Sequence, residues 1–319
     1  MKICLIGPGY KPIPPKGWGA VESVIWDYYV NLKHNNVLVN IINNKNLQEV
    51  INDINRNNYD IVHIMYDDHI IIVPYIQIDC KILYTSHFAY ITHPNFQQRF
   101  NHYFVNIFSQ VIANKDKIFI CAISEQIKQM YIKYGCPENK IYITHNGARN
   151  DAFNFIENPQ KYNRSIYLAK IEERKKQYIY QSIENIDFVG NYHNSSFDCK
   201  RSNYLGEWNK ETLYKSLSSY GNLVLLSDGE ADPLVVKEAL ICGLGVVLSE
   251  CSAANIDESK DFIDIIPNNK LNDLTYVENI IRKNRIISVE NRNSIREYGL
   301  STFSWDNLIV RYIQILSEL

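Results

Sequence analysis

The sequence predicts an α/β protein built from two doubly wound parallel sheets with helices on both faces. Short apolar runs alternate with helical patterns along all 319 residues, which is the rhythm of βαβ units and parallel sheets. That count restarts after Glu157–Arg164 (Glu-Asn-Pro-Gln-Lys-Tyr-Asn-Arg), a polar, proline-containing stretch without apolar periodicity. The length suits two domains of about 150 residues each. The boundaries expected are 1–157 and 158–302, followed by a last segment, 303–319.

In the first domain, strands are expected at Lys2–Ile6, Val37–Ile42, Tyr59–Met65, Lys81–Thr85, Ile118–Ile123 and Ile141–Thr144. Helical spacing falls between them, near residues 19–33, 47–57, 95–114 and 125–134. In the second domain the strand candidates are Ser165–Lys170, Ile186–Val189, Asn203–Leu205, Asn222–Leu226, Gly245–Leu248 and Phe262–Ile266. The last segment, Phe303–Leu319, reads as an amphipathic helix.

Composition excludes several function classes. Lys and Arg number 33 against 35 Asp and Glu, a net charge of −2. Neither half is basic, so no nucleic-acid partner is indicated, nor strong attraction to anionic lipid. No apolar run reaches the length of a spanning helix, and Met1–Ile6 reads as a buried strand with no cleavage pattern after it. Cys4, Cys80, Cys121, Cys136, Cys199, Cys242 and Cys251 are scattered, without metal-type spacing. Reduced thiols and a cytoplasmic location are the expectation.

Residues 223–250 carry the most chemistry. An apolar run, Leu223–Leu226, feeds a polar loop; the loop feeds a helix; Gly243 and Gly245 release a second apolar run, Val246–Leu248. Asp232 is a favourable N-cap and Pro233 a favourable first helical residue, so the helix is expected to start near 233. Its free N–H groups favour a bound phosphate. Glu230 falls in the loop at the carboxyl end of a strand, where open α/β sheets bind ligands. Glu238 lies one to two turns into the helix, and helical side chains lean toward the N-terminus, back at the same crevice. Two carboxylates accept hydrogen bonds from the vicinal hydroxyls of ribose and hexose. The helix is apolar on most sides (Leu234, Val235, Ala239, Leu240, Ile241), and a Glu on a buried helix needs a partner.

The segment resembles the Glu-x7-Glu signature of family 4 glycosyltransferases (glycosyl transferases group 1). Ser227, Glu230, Glu238, Ala239 and Gly243 match it, while Asp232-Pro233 replaces the more usual Gly-Phe. The resemblance implies a GT-B fold: two Rossmann-like domains facing a cleft, with a C-terminal helix crossing back to the first domain. Phe303-Ser304-Trp305 resembles the start of that helix. It also implies a retaining, metal-independent transfer from a nucleotide diphosphate sugar, UDP- or GDP-linked, to a hydroxyl of a glycan or other acceptor, with no cofactor required.

Further motifs take their place under that resemblance. Gly17-Trp18-Gly19 after the first strand resembles the family's glycine-rich loop over the donor phosphates, with Ala20 where a second glycine is usual; the same pattern also makes a plain turn. Glu22 reads as a carboxylate helping the helix dipole. Thr85-Ser86-His87 resembles the strand-end His that contacts donor sugar or leaving phosphate. Lys170 and Lys175 resemble the Gly-Arg-x4-Lys pattern, with Lys170 at the position usual for Arg. A leaving diphosphate needs positive charge, and Lys supplies it without the fork of Arg. Ser124 reads as a helix cap, Asn146-Gly147 as a turn near the domain junction, and Gly190-Asn191 and Tyr204–Gly206 as strand ends around the base. His63, Asp67, Asp68 and His69 are metal-capable residue types after a strand, but Asp67 and Asp68 alternate in facing and read as a polar loop on the acceptor side.

The expected roles are therefore as follows. Glu230, His87 and Lys175 are catalytic. Gly17, Trp18, Gly19, Lys170, Lys175, Asn191, Glu230, Ala231, Asp232, Leu234, Val235 and Glu238 bind the donor, with Glu238 on the ribose. No metal ligand is assigned, and the expected state is a monomer or weak dimer. Two alternatives share the fold: a nucleotide-sugar epimerase, for which Glu22, Asp67 and Asp68 would supply acid and base, and a non-catalytic nucleotide-sugar-binding partner.

Overall fold

The computed structural model describes residues 1–93, 101 and 103–319. Contacts divide the chain into two compact units. The first comprises Met1–Pro15, Gly19–His145 and Trp305–Leu319; the second comprises Lys16–Trp18 and Asn146–Ser304.

The first unit is built on a six-stranded parallel sheet: β1 Lys2–Gly7, β2 Leu38–Asn43, β3 Ile61–Ile64, β4 Lys81–Tyr84, β5 Ile118–Ala122 and β6 Ile141–Ile143, ordered β2-β1-β3-β4-β5-β6. Residues Ile3 to Ile6 have no exposed surface. That is the signature of a strand covered on both faces, and it explains why β1 reads as a continuous apolar run. The second unit holds five parallel strands: β7 Lys161–Leu168, β8 Ile186–Val189, β9 Tyr220–Leu225, β10 Gly245–Ser249 and β11 Ile263–Ile266, ordered β11-β10-β9-β7-β8. Both sheets follow one rule. The first strand runs to a neighbour on one side, and the third strand pairs on its other side. The order therefore reverses between β1 and β3, and again between β7 and β9. Ligands of open α/β sheets bind at the carboxyl end of such a switch point.

Three expectations about elements are revised. The expected strand Asn203–Leu205 makes only a single bridge, Phe188 to Tyr204; the chain turns straight out of it at Gly206, whose φ is +75°. The expected helix 95–114 begins on residues outside those described, and its remainder is a π-helix, Tyr103–Phe108, followed by an α-helix, Ser109–Ala113. The chain passes into the second unit at Asn146 rather than near 157. Residues 146–156 are tied there by Ala148 N–H to Phe303 O at 2.8 Å and by the edge contact of Phe153 with Tyr214 at 4.8 Å. The polar stretch read as a linker instead enters β7.

The terminal helix Trp305–Glu318 belongs to the first unit. Trp305 and Tyr312 both pack edge-on against Tyr28 of helix Ala20–His34, with ring centroids 4.7 Å apart in each pair. All seven cysteines are unpaired; Cys4, Cys121, Cys136 and Cys242 are buried, and Cys199 is exposed. Among the described residues no helix is long and apolar enough to cross a membrane.

Candidate active site

The carboxyl ends of β7 and β9, neighbours at the switch point of the second sheet, bring two charged segments together. After β7 come Lys170, Glu172, Arg174 and Lys175; after β9 come Ser227 and Glu230. Tyr167 of β7 staples them: its hydroxyl donates to Lys175 O and accepts the Leu226 N–H at 2.8 Å. Asp228 N–H bonds Arg174 O at 2.9 Å.

Glu230 is 9% exposed. Its Oε1 is paired with Lys175 Nζ and lies 3.4 Å from Arg174 Nη1. Burial alone would raise its carboxyl pKa, but the cations of Lys175 and Arg174 outweigh burial and hold it below the ordinary value. Arg174 also donates to Gly229 O and, at 2.8 and 3.1 Å, to Glu172 Oε1. Lys175 is itself buried, and desolvation pulls its ammonium pKa down despite Glu230. Lys170 pairs with Glu172 at 3.3 Å, and its ammonium lies 5.1 Å from the centre of the Trp18 ring.

Glu238 sits in helix Leu234–Ile241. It is half-buried, and its carboxylate makes no hydrogen bond among the described residues; burial raises its carboxyl pKa, opposed by Lys210. Ala231, Leu234 and Val235 are also half-buried around it. After β8, Asn191 Nδ2 donates to Glu207 Oε2 at 2.8 Å, and Glu207 Oε1 accepts the Trp18 N–H at 3.3 Å. Gly17 leaves room for the same carboxylate, which would lie 3.0 Å from a Cβ there. At Gly190 a Cβ would lie 1.8 Å from Ala169 O, so the backbones after β7 and β8 approach as only glycine allows. Gly190→Ala is expected to lower stability by more than about 1 kcal/mol and to displace Asn191. Denaturant unfolding with nucleotide titration checks this; an unchanged midpoint would argue against the close approach.

Residues 4–151 match the family model Glycosyltransferase Family 4. The fold is GT-B, that of two Rossmann-like domains. The chain is similar to Anabaena HepE in complex with UDP and glucose, at a TM-score of 0.75 and 14% identity over 100% of both chains. It is equally similar to the sucrose-phosphate synthase of Thermosynechococcus elongatus, at 0.75 and 14% over 99% of this chain and 98% of that one. The lipopolysaccharide outer core galactosyltransferase WaaB in its apo form gives 0.67 and 16% over 100% of both. At these identities the likeness establishes the fold. No curated protein sequence matches the chain.

Of the residues singled out in the sequence, Gly17, Trp18, Lys170, Lys175, Asn191, Glu230, Ala231, Asp232, Leu234, Val235 and Glu238 all lie in the second unit, while Gly19 and His87 lie in the first. His87 follows β4. Its Nε2 is buried without a partner among the described residues, and burial lowers the imidazole pKa to about 4. Gly19 opens helix Ala20–His34 and accepts the Ser23 hydroxyl at 2.7 Å.

Asp232 is not the N-cap. Pro233 takes that position with no side-chain cap, because the Asp232 carboxylate is engaged by Lys237 Nζ and by the Asn146 N–H at 2.9 Å. The metal-capable set disperses onto protein partners. His63 bridges Tyr312 and Thr85 hydroxyls, both at 2.7 Å; Asp67 accepts from Tyr84 and Ser86 at 2.9 and 2.7 Å; His69 Nε2 bonds Asn44 O at 3.1 Å. Among the described residues no three acidic, His or Cys side chains converge as a metal site.

Sequence reasoning missed Arg174, Glu207 and Lys237. Arg174 and Lys175 are adjacent cations after a strand, a signal read only for the second of them. Lys237 stands on an otherwise apolar helix, where the argument that a buried charge needs a partner applies to it as much as to Glu238.

Proposed function

We propose that the enzyme transfers a sugar from a UDP-sugar to an acceptor hydroxyl, with retention of configuration and without a metal. The observation that carries this is the cluster of buried Glu230 and Lys175 with Arg174 at the second sheet's switch point, followed in the chain by the helix that carries Glu238. HepE, similar in fold, is described in complexes with UDP and with UDP-glucose, which favours uridine as the donor base.

In this reading Glu238 accepts hydrogen bonds from the ribose hydroxyls, and Glu230 accepts from hydroxyls of the transferred sugar. Lys170, Arg174 and Lys175 bring fixed positive charge to the departing diphosphate, which stabilises charge as it develops. Glu230 orients Lys175 and Arg174 before the donor arrives, so little reorganisation is needed at the reacting step. Trp18 borders Lys170, Gly17 lies against Glu207, and in this reading Asn191 lies by the base. The glycosidic bond to the β-phosphate breaks as the acceptor oxygen bonds to C1 on the same face, and the departing phosphate oxygen takes the acceptor proton.

Calorimetric titration of UDP-glucose into the metal-free protein in EDTA tests the reading. Saturable binding with slow release of UDP is expected, and absence of binding to any nucleotide sugar would sink it. Glu238→Gln is expected to weaken binding about 10- to 100-fold, the value of hydrogen bonds to a charged acceptor. Because burial raises the Glu238 carboxyl pKa, wild-type affinity should fall on acidification before an ordinary glutamate would titrate. The Glu238→Gln affinity should be flat over that range. Parallel pH profiles for the two proteins would remove Glu238 from the ribose.

A further inference from the structure

Lys237 and Asp232 pair with both side chains wholly sealed from solvent. Every polar atom of such a pair must find its partner inside the protein. Lys237 Nζ bonds Asp232 Oδ1, donates to Ala254 O at 3.3 Å, and lies 5.7 Å from the centre of the Phe303 ring. Asp232 Oδ2 accepts the Asn146 N–H at 2.9 Å, and Asn146 Nδ2 donates to Asp232 O at 3.0 Å.

Those partners occupy particular places in the chain. Asn146 is where it enters the second unit, and Ser304 is where it leaves. The two connectors are joined to each other: Ala148 bridges to Ser304, Ala148 N–H bonds Phe303 O at 2.8 Å, and Ser304 Oγ donates to Asn150 Oδ1 at 3.1 Å. One cluster therefore links the loop that carries Glu230 to both connectors. A buried ion pair adds little stability over apolar residues of similar volume; what it supplies is direction and register.

We propose that Asp232 is a positioning residue, oriented by Lys237, that ties the donor loop to both connectors, so that donor binding is transmitted to the backbone around Asn146. This rests on the donor site proposed above. The roles are distinct: Glu230 and Glu238 touch the donor, whereas Asp232 acts through the loop and the Asn146 backbone.

Hydrogen exchange of the full chain, with and without saturating UDP, tests the coupling. UDP is expected to slow exchange of the amides of 146–148 in the wild type by about tenfold or more. The double substitution Asp232→Leu/Lys237→Met removes both charges and leaves neither unpaired. At UDP concentrations that saturate it, it should show no slowing at 146–148. Asn146→Ala removes one of the two bonds without touching the ion pair, and should reduce the slowing by at least about threefold; it decides the matter if the double variant does not fold. UDP binding with no slowing in the wild type would overturn the coupling while leaving the donor site intact, as would equal slowing in the variants. Failure of the wild type to bind UDP would overturn the donor reading and the coupling with it.

Discussion

Glu230→Gln is expected to reduce sugar transfer by about a thousandfold or more, the scale of losing a group that organises charge at the reacting centre. It should also destabilise the second unit. The carboxylate is held below its ordinary pKa because Lys175 and Arg174 outweigh the burial that would raise it. Glutamine keeps the shape and removes the charge, so Lys175 is left buried without its counter-ion. Breaking such a pair from one side costs about 3 kcal/mol. Lys175→Met on top of Glu230→Gln removes the stranded charge and should recover most of the stability and none of the activity. The linkage has a definite sign. A depressed carboxyl pKa contributes stability that is present above the unfolded value near 4.3 and is lost as the pH falls through the folded one. Urea unfolding at pH 7 and below, alongside turnover of UDP-glucose, reads both effects. Transfer within threefold of wild type in Glu230→Gln would mean that the cluster serves the fold alone.

The split between what could be read from the residues and what could not follows the physics of each feature. Parallel strands buried on both faces are continuous apolar runs, so all eleven strands' neighbourhoods announce themselves, and β7 merely starts four residues earlier than expected, at Lys161 rather than Ser165. Glu230 was singled out by its place after a strand, where open sheets bind ligands, and Lys175 by the resemblance to Gly-Arg-x4-Lys; that the two pair is a tertiary fact. Asn203–Leu205 was over-read: its apolar content is that of a strand, but a single bridge and the +75° φ of Gly206 end it at once. Asp232 was misread for a different reason. Local rules make an Asp before Pro a cap, but the pairing with Lys237 and the bond from Asn146, 86 residues away in sequence, are tertiary. No local pattern records them. The unit boundary failed the same way, since hydrogen bonds from 146–150 to residues far along the chain move the division ahead of the polar stretch.

The first unit is expected to lose stability steeply on mild acidification. His63 has no exposed surface, and both ring nitrogens are bonded, Nδ1 to Tyr312 and Nε2 to Thr85, at 2.7 Å each. Desolvation, aided by the nearby His87, lowers its pKa to about 3. Desolvation lowers His87 to about 4. Unfolded histidine titrates near 6.5. Below that pH the unfolded chain binds protons the folded unit refuses, so stability is present above 6.5 and is lost as the pH falls toward the folded values. Each histidine contributes a slope of about 1.4 kcal/mol per pH unit, with His87 contributing less because it is partly exposed. Melting temperatures at pH 7.5, 6 and 5 should fall accordingly, and His63→Gln, whose amide can still meet both hydroxyls, should flatten the slope by at least half. An identical slope in that variant would assign the acid lability elsewhere. The same numbers constrain the mechanism. With no donor bound, burial keeps His87 neutral down to about pH 4. The standing positive charge around Glu230 and Glu172 is that of Lys170, Arg174 and Lys175.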